Sequence, residues 1–524
     1  MQPTLGVFDI FGPVMVGPSS SHTAGVSRLG SMTRQILGKE PTRIHLDLFG
    51  SVGINYLECN SHNAIISGML GWKPDDLRLS KAIAEACQRG IKVDWQVRDT
   101  PVEHPNTVRI ITGAADGTVV EMAGISTGGG KIRVVEINGH RVGLDGKEQG
   151  LLVITDSSSK QAALDFLKKK GMPLSGIQES VKSGEYLVVV NAREPLGEST
   201  LEKLRGLAGV TLVSELKALD HNVMNDVGPV ESIQKMAQAA EAGGISLAEV
   251  FLEREQERLG LTRVELLAEM LKLVKVMRNA VETGLAGGLP SFPGLPGDNA
   301  PRMGKSLREK GDYFGDTLAK AIVNSLAVVE VCASRSLPVV AAPTGGASGT
   351  VLGVVVTVAE VLKKNDEDIA LALFAAGGVG IVMAQRVGLS GSVAGCQAEC
   401  GAASAMAAAA AAQLAGATPT QVLDAAGITL KNHLGQVCDP AVELGVPCIK
   451  RNGISAAMAL ASSEMALAGV RSAIPFDEVA DAMAEIGGCL PPAFKAMRTV
   501  GLVATPTGMA LRERFETYLS RQAK

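Results

Sequence analysis

From residue 402 to residue 415 the chain is almost entirely alanine and carries no charged side chain. Alanine is the strongest helix former, and its small side chain lets neighbouring backbones approach closely. A helix with no polar face must be buried on every side, so this stretch demands a shell of further helices. The sequence supplies them. Stretches 351–362 and 369–385 are nearly all apolar, whereas 247–259, 264–283 and 477–486 are charged and amphipathic. Residues 226–524 therefore read as an all-α domain with outer helices wrapped around buried ones. Aromatic residues make up only 3% of the chain, so close contacts through alanine and glycine replace bulky core side chains. Stretch 369–385 contains Gly377, Gly378 and Gly380 and sits at the lower length limit for crossing a bilayer. It reads as a buried helix, and no membrane association is expected.

The first part of the chain is patterned differently. Residues 1–149 contain β-rich runs at 44–49, 108–112, 131–137 and 139–142, with a helical stretch near 80–89, an α+β arrangement. Residues 150–225 show strand, helix, two strands, helix and strand at 151–155, 160–170, 176–181, 186–191, 199–207 and 210–213. This βαββαβ order resembles an ACT-type module, whose family role is binding a small amino acid at a domain interface. The first loop, Asp156-Ser157-Ser158-Ser159-Lys160, lacks the glycine used for close ligand approach, so a purely structural spacer is the equal alternative. Residues 226–231, Asp-Val-Gly-Pro-Val-Glu, mark the hinge before the helical part.

Charge and cysteine usage narrow the function. Fifty Lys and Arg against 54 Asp and Glu give a net charge of -4, which provides no field for nucleic acid. Eight cysteines are too few for a disulfide scaffold. With no basic, apolar leader at the start, a reduced, cytoplasmic location is expected.

Two constellations carry chemistry. Gly17-Pro18-Ser19-Ser20-Ser21-His22-Thr23-Ala24-Gly25 is a turn followed by hydroxyls at a helix start, suited to binding an anion, with His22 as a proton-transfer group. A helix cap needs one hydroxyl, not three. The second is the trio Cys396, Cys438 and Cys448, separated by 42 and 10 residues. Three thiolates around an iron-sulfur cluster leave one iron open as a Lewis acid, whereas four would suit electron transfer. Taken singly, each cysteine reads more readily as a small buried apolar residue, and spacing alone does not overturn that.

At this point a family resemblance covers nearly the whole chain. The first part carries Phe8-Asp9-Ile10 with Gly12-Pro13, the Ser19–Thr23 run, His104-Pro105-Asn106-Thr107 and Ser126-Thr127-Gly128-Gly129-Gly130. The second carries Ala341-Ala342-Pro343-Thr344, Gly395-Cys396-Gln397-Ala398-Glu399, Leu430-Lys431-Asn432, Cys438-Asp439-Pro440, Pro447-Cys448, Arg451-Asn452 and Ala504-Thr505-Pro506-Thr507-Gly508. These motifs resemble the iron-sulfur-dependent L-serine dehydratases, with β and α modules fused. The resemblance implies a 4Fe-4S cluster held by Cys396, Cys438 and Cys448, an open iron that takes substrate, pyruvate and ammonia as products, and a homodimer. It also implies that Ser19, Ser20, Ser21, His22 and Thr23 clamp the substrate carboxylate, and that Thr344, Lys431, Arg451 and Asn452 orient substrate or bond to cluster sulfurs.

The chain departs from the family pattern in places. Where Lys-Gly-His-Gly-Thr-Asp is usual, it has Leu57-Glu58-Cys59-Asn60-Ser61-His62, so Cys59 replaces a histidine and His62 stands one helical turn later as a possible substitute. Gly294-Leu295-Pro296-Gly297-Asp298 replaces Gly-Leu-Thr-Gly-Gly, and the last two cluster cysteines are one residue closer than usual. Related substrates such as L-threonine or L-cysteine stay open. Cys400, four residues after Cys396, would share its helix face; as a fourth ligand it would saturate the cluster and turn the reading toward a non-catalytic redox or amino-acid sensor.

Overall fold

The computed structural model describes residues 4–522 apart from 171, 173–177, 193–196, 222, 291–294, 296, 314 and 443. Strands and helices mix up to Leu216, and the remainder is helical apart from the short strand Val339–Val340. The first region holds a six-stranded sheet in the order Lys92–Arg98, Pro41–Phe49, Thr107–Ala114, Val119–Gly128, Lys131–Ile137 and His140–Leu144. Its first pair is parallel and the others are antiparallel. In Val119–Gly128 alternate residues are buried, the period-two pattern of a strand with one covered face. The helix Val26–Leu37 lies across that strand and against Ser61–Met69.

A second sheet orders its strands Val210–Leu216, Gly150–Asp156, Glu185–Asn191 and Gln178–Lys182, all antiparallel, with helices Lys160–Lys169 and Glu198–Arg205 in the connections. The βαββαβ order is as the sequence predicts; part of the predicted 176–181 strand lies outside the described residues. Strand alternation gives this sheet two apolar faces. Leu151, Val153, Val188 and Val190 pack with the sheet's own helices, whereas Leu152, Ile154, Leu187 and Val189 join the core of the six-stranded sheet. The small module is thus buttressed against its neighbour.

In the helical region Cys400–Leu414 is buried along almost its whole length. It packs against Ser348–Val361, Asp366–Arg386, Pro419–Lys431 and Cys448–Leu467. Asp366–Arg386 is long and apolar enough to cross a membrane, but 78% of its most apolar window is buried inside the fold. Its glycines admit neighbours: a Cβ on Gly377 would stand 2.6 Å from Val7, on Gly378 2.2 Å from Phe251 and on Gly380 2.3 Å from Ile10.

Those contacts expose a feature that composition did not reveal. Leu5, Val7, Phe8, Ile10, Phe11 and Met15 belong to the helical core, not to the sheet that follows them in sequence. Val14–Met15 pairs antiparallel with Val339–Val340. Asp9 fixes the entry, accepting from Lys147 Nζ at 3.0 Å and Arg258 Nη2 at 2.6 Å. The chain therefore starts in the helical domain, leaves it at the Ser19–Gly25 turn and returns after the two sheets.

Candidate active site

The turn where the chain leaves the helical core is one π-helical segment, Ser20–Gly25, running directly into Val26–Leu37. Such wide turns are rare and concentrate at functional sites. Ser19 caps it, its Oγ accepting from the His22 backbone N–H at 3.0 Å. The wide turn aims Ser19, Ser20, Ser21 and His22 into one chamber. The Ser20 and Ser21 Oγ atoms are buried and have no hydrogen-bond partner among the described residues. Buried hydroxyls left unmatched cost free energy unless something else binds them.

The same chamber also carries sulfur. Cys396, Cys400, Cys438 and Cys448 all line the chamber. Cys400 and Cys448 each begin a long helix, and Cys396 follows Gly395, whose φ of 81° turns the chain there. Cys438 is held at both backbone ends, N–H to Phe494 O and C=O from Ala496 N, each 2.9 Å. Among the described residues no three His, Cys, Asp or Glu side chains close on a single-ion position; the four cysteines line the chamber together.

Cys396 and Cys400 stand 3.3 Å apart, sulfur to sulfur. That shared hydrogen bond, helped by the Arg451 charge and opposed by burial, brings the Cys396 thiol down to about 7. The same bond and burial push the Cys400 thiol well up. Arg451 donates to Val437 O at 3.1 Å and to Asp439 Oδ1 at 2.9 Å. Burial opposes its charge, but Cys396, Cys448 and Asp439 outweigh that and raise its pKa. His22 is shifted down to about 4, first by burial and then by the nearby Arg498 charge, so the ring is neutral near pH 7.

The remaining sequence-predicted residues stand behind the chamber lining or away from it. Thr23 Oγ1 donates to Cys59 O at 2.8 Å and fastens the turn. Asn452 donates to Gly346 O at 2.8 Å and Cys448 O at 3.0 Å while accepting from Thr350 N at 3.1 Å, which ties a lining loop to a cysteine-bearing helix. Thr344 is buried at the start of that loop, its Oγ1 without a partner among the described residues. Lys431 donates to Ser472 O at the end of its helix and does not line the chamber. His62 does not reach it either. Asn60, at φ 56°, breaks the chain into two helices, Gly50–Cys59 and Ser61–Met69, so one residue turn no longer means one shared face. The His62 ring lies instead 5.1 Å from Trp95 and 5.3 Å from Tyr56.

Sequence reasoning missed Ser51, Asn55, Ser390 and Ser392. Ser390 and Ser392 line the chamber and meet the buried Asn106, which donates to Ser390 Oγ at 3.3 Å and accepts from Ser392 Oγ at 3.0 Å. Asn106 also donates to Ser126 O at 3.1 Å, so two motifs noted in the sequence converge behind this wall. The signal for Ser390 and Ser392 was available in Leu389-Ser390-Gly391-Ser392, a glycine between two hydroxyls just before Cys396.

Comparison with known proteins agrees with this two-part construction. The family described as Serine dehydratase beta chain matches residues 6–94, and that described as Serine dehydratase alpha chain matches 242–503. The Bacillus subtilis probable L-serine dehydratase alpha chain is 39% identical over 284 residues, covering 54% of this chain and 94% of that protein. The Bacillus subtilis probable L-serine dehydratase beta chain is 43% identical over 214 residues, 40% of this chain and 97% of that protein. The Streptomyces coelicolor L-serine dehydratase is 27% identical over 514 residues, 95% of this chain and 98% of that protein. The chain belongs to the serine dehydratase family, with its beta-type and alpha-type parts joined in one polypeptide.

Proposed function

We propose that the protein is an L-serine ammonia-lyase that converts L-serine to pyruvate and ammonia in the chamber lined by the Ser19–His22 turn and the four cysteines. The observation that carries the reading is the pairing, in one chamber, of unpartnered buried hydroxyls with four cysteine sulfurs from separate segments. A soft thiolate set lining one chamber suits a polynuclear iron-sulfur group. Cys396, Cys438 and Cys448 would hold a 4Fe-4S cluster, with Cys400 kept as a neutral thiol. When bound, the cluster supplies a Lewis-acidic iron that offsets charge on a departing hydroxide.

The chain's own residues supply the rest. Ser20 and Ser21 donate to the substrate carboxylate. Ser19 Oγ, 3.1 Å from His22 Nδ1, takes the α-proton as its own hydrogen passes to the neutral ring. The Cβ–O bond breaks with its electron pair on oxygen, and the His22 proton completes a molecule of water. The resulting aminoacrylate tautomerises to an imine, and water hydrolyses that to pyruvate and ammonia. Arg451 offsets thiolate charge, and Asn452 and Thr344 hold the loop beside Cys448. The small module's strand order supports an ACT-like unit, here acting as a buttress. The resemblance extends the reading to a cytoplasmic homodimer.

Anaerobic reconstitution with iron and sulfide, followed by ammonia and 2-oxo acid release from L-serine, L-threonine and L-cysteine, tests the reading. L-Serine is expected to turn over fastest. An intact cluster with no turnover of any of the three overturns it in favour of a sensor.

A further inference from the structure

The Gly50–Cys59 helix carries three buried polar side chains on one face: Ser51 is 0% exposed, Asn55 3% and Glu58 4%. Their spacing of four and three residues places them one above another. A buried polar stripe costs stability unless each group is matched, and each of these reaches out of its own helix or braces one that does. Ser51 Oγ is 3.1 Å from His22 Nε2. Asn55 Nδ2 donates to Ser51 O at 2.7 Å, to Ser51 Oγ at 3.1 Å and, more weakly, to Ala496 O at 3.4 Å. Glu58 forms an ion pair with Arg498, their side chains 5% and 1% exposed.

Ala496 and Arg498 belong to the segment 490–500, which runs beside the chamber and pairs with Cys438. Its Ala496 lines the chamber and is bonded to Cys438. Both residues hold left-handed backbone conformations, at φ 60° and 56°, which are unfavourable for a non-glycine residue. Such a conformation persists only where its anchors over-determine it. Here those anchors are Cys438 on one side and the helix stripe on the other.

Resting on the proposed lyase reading, we propose that the Ser51, Asn55 and Glu58 stripe is the positioning element of the reaction. Ser51 holds His22 as the Nε2–H tautomer, leaving Nδ1 as the acceptor toward Ser19, while Glu58 docks the 490–500 segment through Arg498. Ser51 Oγ accepts from both Asn55 Nδ2 and His22 Nε2, and Ser19 Oγ accepts from the His22 backbone N–H while donating to Nδ1. The tautomer is assigned from this network.

The reconstituted full-length protein tests both halves. Ser51→Ala should lower kcat about tenfold or more with KM changed less than about twofold, because orientation is lost while the carboxylate hydroxyls stay. Arg498→Gln should raise KM several-fold and expose Lys495 to trypsin, and the exchanged pair Glu58→Arg with Arg498→Glu should recover at least part of the loss. Histidine-selective 15N NMR should show a protonated Nε2 and unprotonated Nδ1 for His22, with the two forms averaging in Ser51→Ala. A Ser51→Ala enzyme with unchanged kcat, an unprotonated Nε2 in the parent, or an Arg498→Gln variant with parental KM and trypsin resistance would overturn the inference. The NMR and proteolysis arms read out without turnover, so a parent that acts on no amino acid would refute the lyase reading separately.

Discussion

His22 and Asp9 show how single residues are set by their surroundings. Both are buried, but His22 faces Arg498 and stays neutral, whereas Asp9 stays charged. Burial pushes the Asp9 carboxyl up, and the Lys147 and Arg258 charges outweigh it, holding it at about 2. Its folded pKa therefore lies below its unfolded value, so its contribution is fully present above about pH 4 and is lost as pH falls toward about 2. The shift corresponds to about 2 kcal/mol. Acid unfolding of the parent, compared with Asp9→Asn, should show a stability difference that shrinks across that window; a difference independent of pH would refute this account. Cys396, Cys438, Cys448 and the Ser19–His22 run were legible in sequence because residue type and motif mark them. Ser51 and Asn55 were not, since a serine and an asparagine inside a helix carry no local signal of what lies across from them.

Helices and strands were more legible than the turns between them. The alanine-rich helix, the glycine-bearing apolar helix and the βαββαβ order all follow from composition and periodicity. The break at Asn60 does not, because asparagine ends helices in the left-handed conformation much less often than glycine and is a weak signal, and it is this break that turns His62 away from the chamber. The glycines of Asp366–Arg386 are set by packing. Gly378→Ala would gain about 1 kcal/mol of helix propensity, but its Cβ would stand 2.2 Å from the fully buried Phe251 ring, and overpacking costs about 1–3 kcal/mol. Chemical denaturation should show net destabilisation. A stabilised variant would mean that the ring relaxes freely.

Across the molecule, the chamber exists only because the chain crosses between its two regions. The first residues anchor in the helical core, the π-helical turn hands over to the sheet region, and the 490–500 segment reaches back to Glu58. A short apolar run from Leu5 to Phe11 with no clear period could not reveal that destination. Val7, Phe8, Ile10 and Phe11 are all buried there, and losing four such side chains removes about 6–12 kcal/mol of burial, comparable with the whole stability of a domain. A chain beginning at Gly12 should therefore fail to give a cooperative thermal transition for the helical region. A truncated protein that melts like the parent would contradict this arrangement.

The most direct measurement is a Mössbauer spectrum of anaerobically reconstituted 57Fe protein, recorded with and without L-serine. A three-cysteine 4Fe-4S centre predicts that one iron of the four changes its signal when L-serine is added. An absent cluster, or four irons unmoved by the substrate, would contradict the assignment of Cys396, Cys438 and Cys448 and the elimination built on it.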